Sequence, residues 1–144
     1  MNPIFKKMNF KNQERILVLH APEAFEPAME EMQEFTQIDQ QIDQGRAYEY
    51  ALIFTEMEAD LKVVIPQVQD RLREDAIFYI AYPKKSSKKY KSDINRDSGA
   101  WAPLGELGFE GVRMVAIDTD WAALRFRKAS QIKSMTRRNS MALS

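Results

Sequence analysis

Two lysines and two serines, Lys84-Lys85-Ser86-Ser87, follow an apolar run that ends at Pro83. Ammonium groups, hydroxyls and exposed backbone N–H groups together suit an oxyanion such as phosphate or carboxylate. Arg96, in the segment that follows, could add a guanidinium that binds an anion in bidentate fashion, through two N–H groups. A lysine run in general is more typical of a solvated connection kept soluble by its charge, and it is the position at a strand end that favours a ligand site. Two interpretations therefore stay open for this segment, an anion site or a solvated loop.

His20 is the only histidine of the chain. A single histidine excludes a metal site built from several histidines, so no metal ligand is assigned. Imidazole is the side chain that titrates near neutrality, and Glu56 could orient it as a general base. The alternative is a histidine that closes a strand end through ordinary hydrogen bonds. With no cysteine and no Gly-x-Ser-x-Gly turn, no catalytic nucleophile is assigned either.

The turn after the first predicted strand, His20-Ala21-Pro22-Glu23, contains no glycine. Dinucleotide and S-adenosylmethionine sites use a glycine-rich turn there, because the backbone must approach the ligand closely. Pro22 lacks an N–H, and the Glu23 carboxylate would repel a phosphate. The sequence therefore disfavours a nucleotide cofactor bound in the usual manner, and the cofactor stays unidentified.

Strands and helices alternate along the chain and would position these residues. Apolar runs predict strands that are covered on both faces, and apolar residues at helical spacing predict helices between them. Strands are predicted over residues 15–21, 48–55 and 76–82, with a short polar edge strand between Phe35 and Arg46, helices over 25–35, 57–72 and 94–107, and a β-hairpin from 112–117 and 121–127.

This order predicts an α/β domain with a three-layer, Rossmann-like architecture. Its mostly parallel six-stranded sheet has the expected strand order 2-1-3-4-6-5 and ends in an antiparallel hairpin. Ligands in such sheets bind beyond the carboxyl ends of the strands, where the order reverses. His20, Thr55-Glu56 and the segment from Lys84 to Ser87 all follow strand ends, so we expect them at the same edge of the sheet.

The length of 144 residues and the 44% hydrophobic content predict one α/β domain, placed at residues 15–128. Residues 1–14 show no apolar period and are predicted to form a loosely attached N-terminal arm. Residues 129–144 carry bases and no acids and are predicted to be a mobile tail. The absence of cysteine and of a long apolar run excludes disulfides and predicts a cytoplasmic protein with no membrane partner.

The formal net charge of zero conceals a separation of charge along the chain. Residues 14–75 hold five bases and fifteen acids, whereas residues 76–144 hold thirteen bases and six acids. The acids of the same domain disfavour nucleic acid as a partner. Aromatic residues among the later bases (Tyr82, Tyr90 and Trp121) keep nucleic-acid binding open as an alternative. Acidic and basic halves could also meet head to tail in a homo-oligomer.

The face of the last strand that carries Trp121, Arg125 and Arg127 has two interpretations of equal weight. It could stack on or pair with a polar partner, or the arginines could simply lie with their aliphatic stems over the edge of the sheet.

Four motifs stand out: His20-Ala21-Pro22-Glu23, Tyr82-Pro83-Lys84-Lys85-Ser86-Ser87, Asn95-Arg96-Asp97 and Trp121-Ala122-Ala123-Leu124-Arg125-Phe126-Arg127. With them the chain, over roughly residues 15–128, resembles a family of small bacterial proteins described as a domain of unknown function, and that resemblance implies no activity. The element order also resembles the later part of a class I methyltransferase. This second likeness is an analogy of fold, and fold alone does not imply function.

Three functions follow as expectations. The first is a non-catalytic binding or interaction module for a small anionic ligand. Its ligand-binding residues would be Lys84, Lys85, Ser86, Ser87, Arg96 and His20. The first alternative is an atypical methyltransferase-like enzyme that lacks the glycine-rich cofactor loop, and the second is a nucleic-acid-binding protein.

Overall fold

A computed structural model describes residues 1–95 and 99–132, and within them six strands form one sheet. The strand order β2-β1-β3-β4-β6-β5 confirms the order predicted from the sequence. Neighbours from β2 to β4 are parallel, while β6 pairs antiparallel with both β4 and β5. The strands are β1 (Arg15–Leu19), β2 (Gln37–Asp39), β3 (Tyr48–Phe54), β4 (Leu72–Pro83), β5 (Phe109–Ala116) and β6 (Trp121–Lys128).

Helices cover both faces of the sheet, which confirms the three layers. They are α1 (Pro3–Lys7), α2 (Glu26–Met32), α3 (Glu58–Gln69) and α4 (Ala102–Glu106), with short 3₁₀ turns at Glu23–Phe25, Gly99–Trp101 and Ala129–Gln131. Phe5 of α1 and Met29 of α2 pack into the cluster on one face. Leu61 of α3 and Leu104 of α4 pack into the cluster on the other. We call the face covered by α1 and α2 the α1 face, and the face covered by α3 and α4 the α3 face.

The N-terminal segment is packed, so the predicted loosely attached arm is wrong. The Asn2 side chain caps α1 by accepting the N–H groups of Ile4 and Phe5. Phe5 and Met8 are fully buried, and the Tyr50 hydroxyl donates to the Met8 carbonyl over 3.0 Å. A helix of five residues has no stability of its own, so only its burial against the sheet explains it.

The start of α3 differs from the Thr55-Glu56-Met57-Glu58 capping pattern in the sequence. The Thr55 hydroxyl donates to the Ala81 carbonyl over 3.1 Å and so joins β3 to β4. The helix begins at Glu58, and the Asp60 carboxylate accepts the Met57 N–H over 3.0 Å. The Thr55 hydroxyl bonds a sheet carbonyl instead of capping the helix, and the N-cap moves two residues along the chain, to Met57.

The helix predicted over residues 94–107 is shorter in the structure. Residues 94 and 95 are not helical, and helical structure runs from Gly99 through α4 to Glu106. Gly108 ends it in the left-handed conformation, with φ of 86°, as a glycine after a helix does. Arg96 lies outside the described residues, as do residues 133–144 of the predicted tail.

The strand order also distributes charge across the sheet. The acid-rich residues 14–75 form β1, β2, β3, α2 and α3, at one side of the molecule. The base-rich residues after them form most of β4, the following loop, β5 and β6, at the other side. A separation along the sequence therefore becomes a separation in space.

Candidate functional site

A cavity of about 500 Å³ opens at the carboxyl ends of β1 and β3. His20 and Pro22 from the turn after β1 line it, together with Thr55 and Glu56 from the turn after β3. The chain leaves β1 toward β2 on one side and returns to β3 on the other, so the order of the strands reverses here. This is the position at which open α/β sheets bind ligands.

The turn after β1 uses a histidine where such turns commonly use glycine. His20 has a φ of 59°, in the left-handed region that side chains other than those of Asn, Asp and His adopt only rarely. The tight turn therefore forms without glycine. Pro22, which lines the cavity, carries a ring and no N–H, so it does not offer the close backbone approach of a glycine.

Aromatic rings form one wall of the cavity. The ring of Trp121, at the start of β6, lies 5.0 Å from the Tyr90 ring and 5.2 Å from the Phe54 ring, centroid to centroid. Trp121 is 3% exposed, and its indole N–H has no acceptor among the described residues. The Asp118 carboxylate accepts the backbone N–H of Trp121 over 2.8 Å and so sets the position of the ring.

Carboxylates form another part of the lining. Glu56 and Asp60 both line the cavity, and no lysine or arginine does so among the described residues. His20 lines the cavity as well. No hydrogen bond joins its side chain to Glu56 in the described structure, so Glu56 does not orient the imidazole as the sequence suggested. The cavity is thus negatively charged with aromatic surface, a combination that favours a cation over an anion.

The four residues Lys84, Lys85, Ser86 and Ser87 do not line this cavity. The Ser87 hydroxyl donates to the Asp120 carboxylate over 2.7 Å and accepts the N–H of Tyr90 over 3.1 Å. The N–H of Lys84 donates to the Asp120 carbonyl over 2.7 Å. The Ser87 hydroxyl and the Lys84 N–H, which were expected to hold an anion, instead attach the loop to the hairpin. Of the predicted ligand residues that the structure describes, only His20 lines the cavity.

Sequence reasoning did not assign Asp60 and Gln67 of α3 to the cavity, and it did not assign Tyr90. The sequence signal for Tyr90 was an aromatic residue within the lysine run. The contact of Tyr90 with Trp121 depends on the attachment of the loop after β4 to the turn between β5 and β6. At its other end the loop is held by Asp93, whose carboxylate accepts the Glu58 N–H at the start of α3 over 2.7 Å.

Asp39 ends β2 and is occupied by protein partners. Its carboxylate accepts the Arg15 side-chain N–H over 2.9 Å and the Tyr48 hydroxyl. Burial by itself raises the pKa of Asp39, but the hydrogen bonds from Arg15 and Tyr48 outweigh it and hold that pKa below its usual range. In dinucleotide folds an acid about this far beyond the first turn binds ribose. Here Asp39 is committed to an internal ion pair.

The chain is similar in structure to methyltransferases. A candidate type 11 methyltransferase from Sulfolobus solfataricus matches with a TM-score of 0.55 and 11% identity over 92% of this chain and 94% of that one. The glycopeptide N-methyltransferase MtfA complexed with S-adenosyl-L-methionine matches with a TM-score of 0.53 and 7% identity over 86% and 91%. A ribosomal protein L11 methylase from Lactobacillus delbrueckii subsp. bulgaricus gives a TM-score of 0.50 and 14% identity over 85% and 74%.

No family model matches the chain, and none of the curated proteins matches it significantly. The likeness at these low identities shows the fold and confirms the analogy to class I methyltransferases. The resemblance to a family of unknown function receives no support.

The similar structures correct the main functional interpretation. The expected non-catalytic module for an anionic ligand is wrong, because the proteins that share the fold are methyltransferases and they favour the methyltransferase alternative. None of the helices in the described part of the chain has the length and apolar character that a membrane span needs.

Proposed function

We propose that this chain is an S-adenosylmethionine-dependent methyltransferase whose cofactor site lacks the glycine-rich turn. The observation that carries the proposal is the cavity at the reversal of strand order, with aromatic and acidic walls. Its volume of about 500 Å³ falls in the ordinary range for small-molecule sites, roughly 300–1,000 Å³.

The lining supports a cationic cofactor. Tyr90, Trp121 and Phe54 line the cavity with aromatic surface that suits a cation and a purine base, and Glu56 and Asp60 add negative charge. A dinucleotide would bring phosphates against those carboxylates, which is unfavourable. The cofactor would bring a sulfonium and an ammonium group instead. Its carboxylate would require a neutral donor, and the Gln67 amide lines the same cavity.

When bound, S-adenosylmethionine supplies an electrophilic methyl group. The chain's part is to hold the acceptor, exclude water and take up the proton that the acceptor loses. Tyr90 and Trp121 close the wall against solvent through their contact. His20 contributes the imidazole of the lining, a side chain that commonly acts as a general base, so it is the group we assign to accept the proton.

Isothermal titration calorimetry tests cofactor binding directly. We expect S-adenosylmethionine to bind wild type, and Glu56→Gln to weaken binding roughly tenfold, equivalent to 1.4 kcal/mol. Glu30→Gln, which removes an exposed carboxylate on α2, is the matched control and should leave the affinity unchanged. No binding to wild type at millimolar cofactor, or tighter binding of a nicotinamide dinucleotide, would refute the proposal.

A further inference from the structure

The loop after β4 holds a dense group of positive charges beside the cavity. Residues 84–91 contain five lysines and no acid: Lys84, Lys85, Lys88, Lys89 and Lys91. None of them forms an ion pair within the described residues. The loop is attached at both ends, through Ser87 to Asp120 and through Asp93 to the start of α3, and Tyr90 from its middle lines the cavity. The loop that carries these charges is therefore held beside the proposed cofactor site.

A second group of positive charges continues along the hairpin on the α1 face. Side chains alternate along a strand, so Arg125 shares the face of Trp121, about 13 Å away at roughly 3.4 Å per residue. Arg113 pairs with Arg125 across β5 and β6 and is exposed. The Arg125 Nε atom is buried with no acceptor among the described residues. Two like charges in a cross-strand pair repel each other unless an anion lies between them.

Three carboxylates near the loop and the hairpin are occupied by protein partners. Asp120 accepts the Ser87 hydroxyl, and Asp118 accepts the N–H groups of Asp120 and Trp121. Asp75 is paired with Arg127 over 2.7 Å. Most acids of the chain lie at the other side of the sheet, on α2, α3 and the strands between them. The repulsion that the acids would exert on a polyanion is therefore weakest along the loop and the hairpin.

From this arrangement we infer that the methyl acceptor is a nucleic acid, whose phosphate backbone runs from the lysine loop toward Arg113 and Arg125. The inference rests on the proposed function. A row of basic side chains longer than 10 Å, divided into two groups, fits a chain of phosphates better than one small anion. Glu56 and Asp60 keep phosphate out of the cavity itself, so a neutral base or ribose would enter it.

Fluorescence anisotropy with a labelled single-stranded RNA of about twenty nucleotides tests this, with single-stranded and duplex DNA of the same sequence as further probes. Binding is expected without cofactor, and it should weaken steeply with added salt. The double variant Lys88→Gln, Lys89→Gln should lower affinity about tenfold and reduce the slope of log K against log salt by about two. Arg113→Gln should lower the slope by about one.

The matched control is Arg46→Gln with Lys62→Gln, which removes two exposed bases from the acidic side and should change neither value. Circular dichroism of every variant confirms folding. Absence of salt-dependent binding, equal binding by the lysine double variant and wild type, or stronger competition by polyglutamate than by RNA would overturn the inference. Cofactor binding without RNA binding refutes the inference alone, whereas RNA binding without cofactor binding refutes the proposed function.

Discussion

The ring of Tyr90 packs against the ring of Trp121 at 5.0 Å and an interplanar angle of 61°, and this contact joins the loop after β4 to the first residue of β6. The pair forms the aromatic wall of a cavity whose other walls come from the turns after β1 and β3 and from α3. Residues far apart in the chain thus define one site.

Replacement of Tyr90 tests this wall. Tyr90→Ala should weaken S-adenosylmethionine binding roughly tenfold or more, since stacking of a base on an aromatic ring contributes about 1–3 kcal/mol. Tyr90→Phe keeps the ring and should bind the cofactor as wild type does. Calorimetry compares the three proteins. Equal affinity of the alanine variant and wild type would remove Tyr90 from the cofactor site.

Replacement of His20 separates its backbone role from its chemical role. His20→Asn keeps a residue that tolerates the left-handed conformation, so the fold and cofactor affinity should stay while the rate of methyl transfer falls. His20→Val should lower the free energy of unfolding by about 1–2 kcal/mol, because a β-branched residue is strained at a φ of 59°. Urea unfolding and a methyl-transfer assay on RNA measure the two effects. An unchanged rate in His20→Asn would exclude the proton-accepting role.

Truncation of Phe5 tests whether the N-terminal helix is part of the domain. Phe5 is fully buried and its ring lies 5.5 Å from that of Phe25. Phe5→Ala should lower the free energy of unfolding by about 3–5 kcal/mol. Lys7→Ala, at an exposed position of the same helix, should change it little. If the two variants have the same free energy of unfolding, burial of Phe5 does not attach the N-terminal helix to the sheet.

The ion pair of Asp39 predicts a pH dependence of stability. Its pKa is lowered in the folded protein, so its contribution is present above the unfolded value of about 3.9 and is lost as the pH falls through the lower folded value. Asp39→Asn should cost about 1–3 kcal/mol at pH 7, because Arg15 and Tyr48 lose a charged acceptor.

Urea titrations at pH 7, 5 and 3 measure the difference between Asp39→Asn and wild type. We expect the two proteins to converge at the lowest pH, whereas Glu30→Gln should track wild type throughout. A difference that does not shrink on acidification would show that Asp39 acts through packing rather than charge.

Local pattern predicted the sheet well, because unbroken apolar runs such as Ile16–Leu19 leave few alternatives to a buried strand, and right-handed crossovers then restrict the strand order. The short edge strand at Gln37–Asp39 and the helix end at Gly108 were also readable from residue type. The position of His20, Thr55 and Glu56 at one edge followed from that order.

Other features depended on contacts between distant residues. The helix at Pro3–Lys7 exists only because the sheet offers an apolar surface to Phe5 and Met8, and five residues carry no periodicity that reveals it. The lysine run suggested an anion site. In the structure the Ser87 hydroxyl and the Lys84 N–H bind Asp120 of the hairpin, and Tyr90 packs on Trp121 to form a wall of the cavity.

The sequence by itself determined the elements, their order and the separation of acids from bases along the chain. Only the tertiary structure decided that this separation lies across the sheet and that the cavity is lined by acidic and aromatic side chains. The physical reason is that side-chain charge and apolarity are local properties, whereas the lining of a site depends on which strand ends and loops pack together.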